Sequence, residues 1–201
     1  MEKMKSWMMA AILCCGASCF TSCNGNAQAD KAAGDTVAAE AAPSVDPVKA
    51  AVDKYMVDSI GVYYSQAEVC IPSVTIVAKE QRGTDTVQVW GDFWVFNYNV
   101  AGDTLKMASG GDHPGMMSLV MAADGTYRVV SFDRVGDGSE YMPSAKRIFG
   151  DKYEAFHSVN SRQRAREEVR ARGIADYVKA HGLSVKYYQD FGWPAHEIPI
   201  K

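Results

Sequence analysis

Cysteine all but disappears after the N-terminus. Four of the five cysteines (Cys14, Cys15, Cys19, Cys23) lie in the first 23 residues, and only Cys70 follows. The rest of the chain therefore has no pair to oxidise, which excludes a disulfide framework. Cys70, within Val69-Cys70-Ile71, is expected to be buried as a small apolar residue. No run reaches the roughly 18–20 continuous apolar residues of a membrane-spanning helix. A net charge of -3 over 201 residues supplies no general electrostatic attraction for nucleic acid, so none is expected as a partner. Phosphate-loop, G-x-S-x-G and H-E-x-x-H patterns are all missing. The histidines (His113, His157, His181, His196) are scattered without a pair at i, i+4. No metal site and no cofactor are announced.

What the N-terminus does contain is specific. Lys3 and Lys5 precede a segment from Ser6 to Phe20 that is almost free of strongly polar side chains. It is too short to span a bilayer as a mature helix but suits a signal peptide over residues 1–22. The boundary Phe20-Thr21-Ser22-Cys23 resembles the lipobox of bacterial lipoproteins. Small residues stand before the cysteine, although Phe20 occupies a place where that family usually has Leu. The resemblance implies cleavage before Cys23, acyl chains on its thiol and a membrane as partner through that anchor. Cys19 is the other cysteine able to serve, and an ordinary secretory signal is the simpler alternative. Asn24 in place of Asp after the cysteine resembles the outer-membrane sorting of some of these lipoproteins. The expected location is therefore the cell envelope.

Residues 23–45 are rich in alanine and lack any aromatic ring, so no apolar stripe would hold a helix against a core. This stretch is expected to act as a tether spanning roughly 25–28 Å root-mean-square. A single domain is expected over residues 46–201. It opens at Asp46-Pro47, an N-cap followed by proline at the first helical position. Val48, Ala51, Val52, Tyr55, Met56, Ile60 and Tyr63 then recur at helical spacing.

From Val69 to Val135 the pattern is that of strands. Pro72 before the β-branched run Val74–Val77 marks a strand start or a sheet edge. Between Thr86 and Val100 the apolar parity changes around Gly91, which predicts a bulge there. Ala101-Gly102-Asp103-Thr104 and Asp124-Gly125 predict hairpin turns. After Pro143, a helix with a kink at Gly150 and a second helix over Ser161–His181, stopped by Gly182, complete the core. The aromatic tail after Val185 is expected to dock, burying Trp193. The fold class is α+β: an N-terminal helix, a curved antiparallel meander of four to five strands, and C-terminal helices packed on one face of the sheet. The order of elements is similar to cystatin-like and NTF2-like folds, a likeness of architecture that implies no activity.

Two groups of residues are candidates for ligand binding. Trp90, Trp94, Phe96 and Tyr98 would line an apolar pocket if their strand face stays open, or fill the core if helices cover it. Asp112 and His113, within Ser109-Gly110-Gly111-Asp112-His113-Pro114-Gly115, would form a site if they converge, or a simple connection if they do not. The series Arg162, Arg164, Arg166, Arg170 and Arg172 reads as an exposed helix face, with docking of an acidic partner or lipid phosphate as the alternative. The expected function is non-catalytic binding of a small molecule or an envelope protein. The alternatives are an enzyme around Asp112 and His113, or an accessory subunit of an envelope complex.

Overall fold

A computed structural model describes residues 46–65 and 67–200; the residues expected to form the signal segment and the tether, Cys23 among them, lie outside the described residues. Asp46 caps the first helix, α1 (Pro47–Tyr55), through Oδ1, which accepts from the amides of Val48 at 3.0 Å and Lys49 at 3.4 Å. Its other oxygen pairs with Lys79 at 2.6 Å, which ties the helix start to the sheet. The helix then widens into a π turn (Met56–Ile60) and tightens into a 3₁₀ turn (Gly61–Tyr63). Tyr63 leaves the apolar stripe and is exposed.

The sheet is built on one long central strand. β1 (Val69–Arg82) and β2 (Thr86–Ala101) pair antiparallel along almost their whole length. β1 begins at Val69, where the strand pattern starts, and carries Pro72 inside it. Among the described residues it pairs only with β2, so the proline's missing N–H sits on a sheet edge, where it is tolerated. The other side of β2 is shared by β3 (Thr104–Asp112) and β4 (Gly115–Met121), which pair with its second and first halves. The two are one strand interrupted at His113-Pro114. The His113 amide still donates to the Phe93 carbonyl at 2.8 Å, so the Gly-rich stretch continues the sheet. β5 (Tyr127–Arg134) pairs with β4 across the Asp124-Gly125 turn.

The helices follow as α2 (Tyr141–Phe149), α3 (Tyr153–Asn160) and α4 (Gln163–Ala180). Gly150, at φ 52°, separates α2 from α3, and Gly182, at φ 61°, follows α4. In the tail, β6 (Tyr187–Gln189) lies parallel to β3, and β7 (His196–Glu197) pairs with β6.

Gly91 is not a bulge. β2 keeps one alternation throughout, and the register shifts lie opposite it, between Ile76 and Ala78 on β1 and near Ala108 on β3. The apparent change of parity arises because both faces of β2 are buried. Val87, Val89, Phe93 and Val95 pack against Val48, Val52, Met56 and Ile60. On the opposite face Trp90 packs on α2 and α3, and Phe96 and Tyr98 pack on α4 and the tail. The C-terminal helices thus share one face and α1 takes the other. Cys70 is only half-buried, and burial raises the pKa of its thiol. The tail docks through Val185, Tyr188 and Ile198, but Trp193 is 69% exposed, contrary to expectation.

Candidate functional site

The even-numbered residues of β2 present Trp90, Asp92, Trp94, Phe96 and Tyr98 to the C-terminal helices. The structure separates their roles. Trp90 is core: its indole N–H donates to the Ile148 carbonyl at 2.8 Å, and Lys152 Nζ lies 4.6 Å above its ring. Tyr98 is fully buried, and its hydroxyl accepts from Arg170 Nε at 2.9 Å. Burial raises the pKa of that phenol.

Arg170 is the principal correction to the sequence reading. It is 5% exposed and points inward from α4. Its guanidinium makes a bidentate pair with Asp190, at 2.8 and 2.5 Å, and sits 4.0 Å above the ring of Phe96. A buried cation needs both a carboxylate and satisfied donors, and this site supplies them. The hydrogen bond from Arg170 holds the Asp190 carboxyl below its ordinary pKa. The signal was present in the sequence, because Arg170, Ile174 and Val178 stand at i, i+4 and i+8, on the apolar stripe itself.

Trp94 differs from its neighbours on the strand. Its ring stacks on Phe96, with centroids 5.6 Å apart and planes inclined by 10°, and Arg166 lies 5.6 Å above it. Between these rings and α4 is an opening of about 250 Å³. Trp94, Phe96 and Met107 form its floor, Arg166 and Glu167 stand on the helix side, and Asp190 lies at the tail. The Trp94 indole N–H is buried and has no acceptor among the described residues. Trp90 and Tyr98 are therefore core, whereas Trp94 and Phe96 line a cavity.

Asp112 lies opposite Trp94 in the strand register, on the same face as Asp92. Asp92 is 1% exposed, and neither of its oxygens meets an N–H or hydroxyl donor among the described residues. Asp112 Oδ1 is likewise buried without a partner among the described residues. Burial, then the neighbouring Asp92 carboxyl, pushes the pKa of Asp112 up to about 9, against the opposing pull of Arg166. At neutral pH Asp112 therefore keeps its proton. A charged residue inside Trp90-Gly91-Asp92-Phe93-Trp94 is a signal the sequence reading passed over.

His113 points the other way. Its Nδ1 lies 3.2 Å from Arg134 Nη1 and its Nε2 lies 2.7 Å from the Tyr64 hydroxyl. Arginine can only donate, so Nδ1 accepts and Nε2 carries the proton of a neutral ring. Burial, then the charge of Arg134, lowers the His113 pKa. This trio lines a depression of about 550 Å³ beside Tyr55 and Phe132, on the α1 face. Adjacent strand residues alternate faces, so Asp112 and His113 do not meet in one site. Among the described residues no group of three His, Cys, Asp or Glu side chains is placed to hold a metal ion. No known protein family matches the chain, and no characterised protein or solved structure is significantly similar to it.

Proposed function

We propose that the chain is an exported lipoprotein of the cell envelope, anchored through Cys23, whose domain binds a small ligand without transforming it. The ligand seat is the opening between β2 and α4. The observation that carries this reading is the Trp94–Phe96 stack on the floor of the opening, with Arg166 above it. A seat of that kind fits a flat, largely apolar molecule. The walls are already organised. Arg170 is held by Asp190 and Tyr98, and Glu167 accepts from the Tyr188 hydroxyl at 2.8 Å. Neither an enzyme at Asp112 and His113 nor docking through the whole arginine series draws support from these placements, since the first two diverge and Arg170 is internal.

Anilinonaphthalene sulfonate, an aromatic anion with hydrogen-bond acceptors, serves as the test ligand. Its fluorescence should rise saturably with the folded protein. Trp94→Ala should weaken that binding about tenfold or more while the melting temperature falls only modestly, because one side of the ring faces the opening. Unchanged dye affinity in the variant would show that the opening is not the seat. A fall in stability of about 3–5 kcal/mol would mark Trp94 as core instead.

A further inference from the structure

The loop between β6 and β7 presents two large rings to solvent. Phe191 is 96% exposed and Trp193 is 69% exposed. A loose loop would explain such exposure without any role, but this loop is pinned. The Trp193 amide donates to the Asp190 carbonyl at 3.1 Å, closing a four-residue turn, and Gly192 sits at its third position with φ 77°. That left-handed φ is what a type II turn demands there. Gln189 Nε2 donates to the Trp193 carbonyl at 2.8 Å. Asp190, the first residue of the turn, is held by the bidentate pair with buried Arg170. Two aromatic side chains on a preorganised turn lose little freedom on entering an apolar phase.

We infer that the Phe191–Trp193 turn inserts into the lipid bilayer that carries the protein's own anchor. The inference rests on the lipid anchor proposed for Cys23. Described structure begins at Asp46, and the chain from Cys23 to Val45 reaches at most roughly 80 Å. A bilayer is then the apolar phase always within range, at the high effective concentration that tethering creates. Tryptophan and phenylalanine suit its interface, where a ring meets acyl chains and the indole N–H meets headgroups or water. With a net charge of -3, the driving force is apolar contact and not attraction to anionic lipid.

The test uses the full chain reconstituted in phosphatidylcholine vesicles whose acyl chains are brominated, a contact quencher of tryptophan. Intact mass reads the acylation of Cys23 separately. The expected result is a blue shift and quenching of part of the emission, both lost in Trp193→Phe and both reduced in Phe191→Ser. Both residues are exposed, so near-ultraviolet circular dichroism should confirm that the variants stay folded. An acylated, vesicle-bound chain with no quenching, or with the same quenching in Trp193→Phe, overturns the inference and leaves the anchor standing. A blue shift that appears without vesicles as protein concentration rises overturns it in favour of a second copy as the partner. If mass shows no acyl chain, the anchor reading fails; the insertion stands if Trp193 is still quenched on vesicles and falls if it is not.

Discussion

Removing the Arg170 side chain would leave the half-buried Asp190 carboxylate and the buried Tyr98 hydroxyl without their shared cation. Breaking a buried pair by deleting one partner costs about 3–5 kcal/mol, and Arg170→Ala should lose that much in denaturant unfolding. Arg170→Lys should recover only a minor part. One ammonium cannot reproduce the fork that meets Asp190 twice and Tyr98 once. The carboxyl pair gives a second residue-scale prediction, in which pH supplies the readout. Unfolded Asp112 releases its proton near pH 4, whereas the folded group releases it at about 9. Between those values the folded state binds the extra proton, so stability from this group is full below about pH 4 and is lost as pH rises toward 9. The slope is at most about 1.4 kcal/mol per pH unit. Asp112→Asn supplies a donor to Asp92 without needing a proton. It should raise the melting temperature at pH 8 and flatten its dependence between pH 5 and pH 8. A variant that melts lower at pH 8 than the parent would contradict a protonated Asp112 in the folded state.

Along the interrupted strand β3–β4 the glycines are set by neighbours rather than by turns. A Cβ on Gly111 would lie 1.9 Å from the Tyr64 hydroxyl. Gly111→Ala should therefore displace Tyr64 from His113 at a cost of about 1–3 kcal/mol. Imidazole titration by NMR should then show the His113 pKa rising as its burial is lost. An unchanged titration would mean that Tyr64 adapts without leaving. The hairpin turns were readable in advance because Gly102 and Gly125 adopt the positive φ that only local chemistry demands. The course of β2 was not. Its alternation runs unbroken while the extra residues sit in its partners, and a partner's bulge leaves no mark on the strand that faces it.

At the scale of the whole molecule the proposed anchor predicts a mass. Protein extracted from membranes should begin at Cys23 and carry acyl chains, and Cys23→Ala should be released or left unprocessed. Normal lipidation of that variant would move the assignment to Cys19. The proposed anchor is the kind of feature a linear sequence can express by itself, since a signal segment is recognised before the domain folds. The capped start of α1, the two hairpins and the break at Gly150 are likewise local, and each followed from residues within a few positions of one another. Which face of each element meets which neighbour was decided only in three dimensions. Asp112 and His113 are adjacent in the chain and lie on opposite sides of the sheet. Arg170, Asp190 and Tyr98 are far apart in the chain and share one cation. Whether Trp94 lines an opening or fills a core depended on how closely α4 approaches β2. That distance is set by side chains from α4, β2, β3 and the tail together, and no single segment of the sequence contains it.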